Sequence, residues 1–378
     1  MFTYNNFDEI LGLEKADRLL LKNLLQNDNK ELTANEFCQE FDLWNIDYEQ
    51  FALMPAFYIH NAKIKYDNNV RIRIRGIYNY LMCKNANNLK LVLNLIHELN
   101  KNDIKVVLLK GIVLCHKYYK SLAMRRMEDI DIAVMPKDFD KAVKIAENLG
   151  WHGINAVHSI DLKFELVGAV DLHYVIYKEN YKCPNKESCI WDNLEEIVFY
   201  GEKVYVMNTE DMFFSVMLNE FLDIIQRPVN LKKMKWLLDI NKILQVKKEL
   251  DIEYIFYRIQ LFGVEAQFMC LLNAYNNITA NKDKNVIQLL GLLHKNRYTD
   301  KRLKLFNKLY LSSQENKIVN YKRAWYLFEY VYPEAGISNI FEFKEFLYKA
   351  QNIYNFKDFI IKNSTKYLKR VGDIIHGK

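Results

Sequence analysis

Four short stretches of this chain carry side chains able to do chemistry together: Lys110-Gly111, Arg125, Asp129-Ile130-Asp131 and Asp171-Leu172-His173. Asp129 and Asp131 lie in Asp-Ile-Asp-Ile-Ala-Val, an alternation of polar and apolar residues that predicts a half-buried strand. Neighbouring side chains on a strand point to opposite faces, so both carboxylates share one side and Ile130 and Ile132 the other. Two acids about 7 Å apart along a strand repel each other unless a positive charge sits between them. A hard divalent cation with oxygen ligands meets that need, and Mg²⁺ in particular keeps waters and takes phosphate oxygens as further ligands. An isolated Asp-x-Asp pair is more often a solvated strand end. The surroundings are what point to a metal here.

Those surroundings read as elements that would position the charges. Residues 106–109 (Val-Val-Leu-Leu) predict a buried strand, Lys110-Gly111 the turn out of it, and residues 112–119 the first turns of a helix. A strand, a glycine turn and a helix start together make an anion site, because unpaired N–H groups and the helix dipole face the ligand. The acid pair follows on the next apolar run. Residues 136–149 then predict an amphipathic helix ending at Gly150. Residues 151–154 predict another strand, and 162–167 with 170–177 a hairpin around Gly168-Ala169. Asp171 and His173 alternate on that last strand and so share a face.

In this order the residues resemble the polymerase-beta-like nucleotidyltransferase superfamily. More closely, Leu-Leu-Lys-Gly, Arg125 four residues before Asp129-Ile-Asp, and Val170-Asp-Leu-His resemble the uncharacterised bacterial nucleotidyltransferase family of biosynthetic and polysaccharide gene clusters. The matching core runs over residues 87–177, and Met234-Lys-Trp-Leu-Leu-Asp239 is similar to that family's following helical segment. The resemblance implies transfer of a nucleoside monophosphate from an NTP to an acceptor, with pyrophosphate released. It implies that Asp129, Asp131 and Asp171 are the catalytic acids and hold one or two Mg²⁺ ions. Lys110, Gly111 and Arg125 would be nucleotide-binding, and His173 would orient Asp171. The superfamily usually has Gly-Ser in the turn. Here Ile112 follows Gly111, so Lys110 and backbone amides take the place of the missing hydroxyl. For Arg125, a salt bridge to Glu128 or Asp129 is an equal alternative to a phosphate contact.

Composition sets the outer limits. Hydrophobic residues make up 50% of the 378 and charged ones 26%, ordinary values for a soluble globular protein. Gly and Pro are scarce, 12 and 5, which predicts long helices and few irregular loops. The net charge of +6 permits an anionic substrate but falls short of a dedicated nucleic-acid binder. Arg71, Arg73 and Arg75 form the most basic cluster, with Arg71 and Arg75 on one helix face, and read as a solvated surface. No uncharged apolar run spans a membrane, and the first residues have neither the basic region nor the apolar core of a signal peptide. Six scattered cysteines (38, 83, 115, 183, 189 and 270) suit a reduced cytoplasm. Cys183 and Cys189 are too far apart in sequence for half a zinc site and read as a plain loop.

Along the rest of the chain, residues 8–25, a segment capped near Thr33, 48–59 and 87–99 predict helices, and His97 beside the last of these reads as structural. From Thr209 the helical pattern returns, with 231–244 a second helix. Breaks at 281–285 and 312–316 and an aromatic run at 321–332 follow. The expected fold class is α+β: a small mixed β-sheet core (86–180) between an N-terminal helical region (1–85) and a C-terminal one (181–378). The acceptor stays open among a small metabolite, a peptide, a protein hydroxyl and a tRNA end. So does oligomeric state. A degenerate transferase serving as a non-catalytic binding or scaffold protein is the alternative, but like charges retained together are costly without a cation.

Overall fold

Scarce breakers and long amphipathic runs give helices gathered about one mixed sheet. The structure is a computed structural model describing residues 11–305 apart from 27–28, 43, 156–158, 166–167, 178–190, 227–232, 281–282, 297–298 and 302. The break at 312–316, the aromatic run at 321–332 and the pair Cys183 and Cys189 lie outside the described residues.

Four helices come first: α1 (Lys15–Leu25), α2 (Lys30–Glu40), α3 (Tyr48–His60) and α4 (Asn68–Lys101). Asp47 and Asp67 start α3 and α4 by accepting from backbone N–H groups of the first turn. α4 is much longer than the segment read from its apolar stripe and runs straight through the division expected at 85–86. Val70, Ile74, Ile77 and Leu81 continue the stripe of Leu89, Val92, Ile96 and Leu99, so one buried face serves both halves. α2 starts at Lys30 after a left-handed Asn29 (φ 48°), not at Thr33. Thr33 is buried there, where its hydroxyl accepts from the Asn23 side chain at 3.0 Å.

The sheet has seven strands: β1 (Val107–Leu108), β2 (Ile130–Ala133), β3 (His152–Asn155), β4 (Ser159–Phe164), β5 (Gly168–His173), β6 (Leu194–Phe199) and β7 (Glu202–Met207). They lie in the order β3-β4-β5-β2-β1-β7-β6. β2 runs parallel to β5 and β1 parallel to β7, while the other neighbours are antiparallel, so the sheet is mixed as expected. The β6–β7 hairpin was not expected, since residues beyond 180 were read as helical. Its turn is Tyr200-Gly201 with both φ positive (49° and 90°), the two-residue geometry that matches strand twist.

Between β1 and β2 the chain forms α5 (Lys110–Val113), which continues as a π-helical segment over Leu114–Tyr119 and stops at left-handed Lys120. α6 (Phe139–Asn148) joins β2 to β3. The C-terminal helices are α7 (Thr209–Gln226), α8 (Lys235–Val246), α9 (Ile252–Phe262), α10 (Glu265–Thr279) and α11 (Lys284–Lys295). Ile130, Ile132, Leu162, Val170 and Leu172 are buried, on the sheet face that α4 covers. That packing leaves the opposite face, with its acids, for chemistry. Among the described residues no helix is long and apolar enough to cross a membrane.

Candidate active site

The strand register sorts the charges into rows. Asp161 of β4 stands opposite Asp171 of β5, which stands opposite Asp131 of β2. One step along, Ser159, His173 and Ala133 face one another; one step the other way, Lys163 faces Ala169, with Asp129 just before β2. Directly opposed residues share a face, so Asp131, Asp171 and His173 meet as the alternation predicted. Ala133 and Ala169 keep the middle of this lattice open. The Asn88 side chain of α4 accepts from Ala169 N–H (2.9 Å) and donates to its carbonyl (3.0 Å). It thereby occupies the ladder position beside Ala169, and β2 pairing begins only at Ile130.

Each acid has a different environment. His173 is buried and its Nε2 lies 3.1 Å from Asp131 Oδ1 and 3.0 Å from Asp171 Oδ2. Both carboxylates can only accept, so Nε2 carries the hydrogen and is shared between them. Burial pulls the His173 pKa down, but the bonds to Asp131 and Asp171 outweigh it and hold the pKa above the usual value. Asp131 is buried, which raises its pKa; the Lys110 ammonium and His173 overcome this and hold it below the carboxylate range. Burial opposes ionisation of Asp171 too, yet His173 and the Ser159 hydroxyl hold it down to about 2. Asp129 has no such partner. Burial first and the Asp131 charge second push it up to about 6.

Asp131, Asp171 and His173 each offer a ligand atom within 4.8 Å of the others; the two carboxylates could hold a metal ion as they stand, and His173 only on giving up its Nε2 hydrogen. Asp171 Oδ1 is buried without a hydrogen-bond partner among the described residues, as a ligand oxygen awaiting a cation would be.

Lys110 approaches this group from the β1 side. Leu109 N–H donates to the Asp131 carbonyl (3.0 Å), extending the β1–β2 ladder by one residue. Lys110 then turns into a left-handed conformation (φ 49°) and its ammonium bonds Asp131 Oδ1. A left-handed lysine costs about 1–3 kcal/mol, and such strain persists where the surroundings hold it. Gly111 is needed for packing: a Cβ there would stand 2.6 Å from Arg125 Nη1 and 2.9 Å from Met127 Cγ. Arg125 pairs with neither Glu128 nor Asp129. Its Nε lies 3.1 Å from Asp239 Oδ2 of α8, and the Tyr119 hydroxyl donates to Asp239 Oδ1 at 2.6 Å. Glu128 is taken by Lys84 and Arg126 instead.

Ser159, Asp161, Lys163, Tyr119 and Asp239 complete this neighbourhood without having been singled out as site residues. Ser159-Ile-Asp-Leu-Lys163 does alternate, and starting that strand at 159 instead of 162 would have put Asp161 in the row.

Fold and site together define an α+β protein with an acid-rich face on a mixed sheet. The chain belongs to the uncharacterised nucleotidyltransferase family, whose profile matches residues 52–279, more than half its length. Among curated proteins none matches the sequence. The solution structure of the antibiotic-resistance factor ANT(2'')-Ia is similar at 12% identity and a TM-score of 0.36, over 47% of this chain and 92% of that one. The crystal structure of ANT(2'')-Ia in complex with adenylyl-2''-tobramycin gives 12% and 0.34, over 46% and 95%. An antigenic nucleotidyltransferase-like protein from Paracoccidioides brasiliensis gives 16% and 0.32, over 44% and 78%.

Proposed function

We propose that the protein transfers a nucleoside monophosphate from an NTP to an oxygen acceptor, in a Mg²⁺-dependent reaction that releases pyrophosphate. The observation that carries this reading is the Asp131–Asp171 row, bridged by His173 and flanked by Lys110. Asp129, Asp131 and Asp171 supply the oxygen donors that Mg²⁺ prefers, and at Asp129 burial and the Asp131 charge outweigh the nearby Lys110 and Lys163, a balance that a cation would reverse. Bound Mg²⁺ would neutralise triphosphate charge and steady the leaving pyrophosphate.

The chain's own groups do the rest. Lys110 exchanges part of its bond to Asp131 for phosphate oxygens, as an ammonium on a flexible stem can. His173 orients Asp131 and Asp171 through one shared N–H. Asp171 accepts a hydrogen bond from the acceptor hydroxyl; held near pKa 2, it is a weak base. The acceptor proton therefore passes late to the Asp171 carboxylate, as the acceptor oxygen bonds the α-phosphorus and the bond to the pyrophosphate oxygen breaks. A loose transition state tolerates that timing. Arg125, committed to Asp239, serves by fixing the segment that leads to Asp129, and the Gly111 side is filled by Arg125 and Met127.

The scattered cysteines, with no disulfide among Cys38, Cys83, Cys115 and Cys270, support a reducing, NTP-containing compartment such as the cytoplasm. The test incubates the protein with α-labelled NTP, Mg²⁺ and a cell extract divided into small-molecule, protein and RNA fractions. Label transferred to one fraction by wild type and not by a folded Asp171→Asn variant supports the reading. Equal transfer by that variant overturns it.

A further inference from the structure

We propose that the groove between α3 and α4 binds the acceptor, and that the acceptor carries an apolar ring beside an anionic group. This rests on the transfer reading above. The groove measures about 670 Å³ and is lined by Phe51, Ile72, Arg73, Ile77, Tyr80 and Arg126. That volume is in the roughly 300–1,000 Å³ range of small-ligand sites, which pair an apolar lining with a few placed polar groups. Ile72 and Tyr80 are 55% and 57% exposed, so a large apolar surface here faces water. Phe51 and Tyr80 meet edge-on at 6.2 Å.

The polar groups are both guanidiniums. Arg73 is exposed and makes no ion pair among the described residues. Arg126 lies over the Tyr48 ring at 4.0 Å and the Phe51 ring at 5.1 Å, with Glu128 2.6 Å from its Nε. Lys84 shares that one carboxylate, so positive charge is in excess around the groove. Rings and planar cations together suit a ring-bearing anion, which can stack and pair at once.

The groove is also near the chemistry. Two residues separate Arg126 from Asp129, and three steps of chain span at most about 11 Å. Asn85 of α4 anchors the approach by donating to the Leu122 and Arg125 carbonyls (2.6 and 3.0 Å). A ligand seated against Arg126 would reach the acid row around the end of the sheet, where Asp129 precedes β2.

The test is titration calorimetry with naphthyl phosphate, without NTP or Mg²⁺, and with naphthol and inorganic phosphate as the two half-ligands. Naphthyl phosphate should bind wild type at least about tenfold more tightly than either half-ligand. Arg126→Ala and Tyr80→Ala should each weaken it by about tenfold. Glu128→Gln should tighten it, because Arg126 loses its competing carboxylate. Asp171→Asn should leave it unchanged, so loss of transfer activity and loss of groove binding are separable. No binding, equal binding of either half-ligand, or unchanged affinity in both Arg126→Ala and Tyr80→Ala overturns the proposal. Groove binding that persists beside absent label transfer overturns only the reaction.

Discussion

Single residues at this site are held by partners distant in sequence. Gly111 shows it best: its missing Cβ makes room for Arg125 Nη1 and Met127, not only for a ligand. Gly111→Ala should therefore overpack a fixed ion pair and destabilise the fold by about 1–3 kcal/mol, seen as a lower urea midpoint with unchanged slope. Asp131 likewise is enclosed by partners distant in sequence. It is buried against Lys110 and His173, so Asp131→Asn perturbs stability as well as chemistry, and Asp171→Asn is the cleaner catalytic probe. The shared face of Asp131, Asp171 and His173 was legible in the sequence because strand alternation is local. The partner of Arg125 was not, because Asp239 is 114 residues away and no spacing rule reaches that far.

Elements turn those contacts into position. α8 presents Asp239 to Arg125 and Tyr119, so its loss should be felt in the whole segment before the acid pair. Asp239→Ala strands the Arg125 guanidinium in a largely buried place and should cost about 3 kcal/mol, measured by thermal or urea unfolding. Tyr119→Phe, which removes one hydrogen bond, should cost about 1 kcal/mol. At the end of α3, burial first, then Lys30 and Lys242, lower the His60 pKa to about 4. The unfolded chain, with His near 6.5, binds more protons between these values. This contribution is thus complete above about pH 6.5 and is lost as pH falls toward 4. His60→Gln should flatten that part of the stability curve in urea titrations at several pH values. The helices were legible from their apolar stripes. The β6–β7 hairpin was missed because Tyr-Gly is a weak turn signal beside Asn-Gly, and the strands it joins carry exposed charges on one face.

At the scale of the whole molecule, the N-terminal helices brace the helix that holds the segment before the acid pair. Glu49 of α3 accepts from the Met234 and Lys235 N–H groups (2.7 and 3.3 Å) at the start of α8. Gln50 beside it donates to Asp17 of α1 (2.8 Å), and Gln26 after α1 donates to the Ile278 carbonyl of α10 (2.9 Å). Glu49→Ala should cost about 1–2 kcal/mol through the lost cap and, because α8 holds Asp239, should loosen the acid segment too. Amide exchange of residues 122–129 should accelerate in that variant and stay slow in a surface control such as Lys15→Ala.

Metal-dependent nucleotide binding at the acid row is tested by titration calorimetry of the purified protein with each NTP, with and without Mg²⁺. Binding should need Mg²⁺ and weaken by tenfold or more in a folded Asp129→Asn or Asp171→Asn variant, a change of about 1.4 kcal/mol or more. NTP binding that ignores Mg²⁺ and survives both substitutions would contradict it.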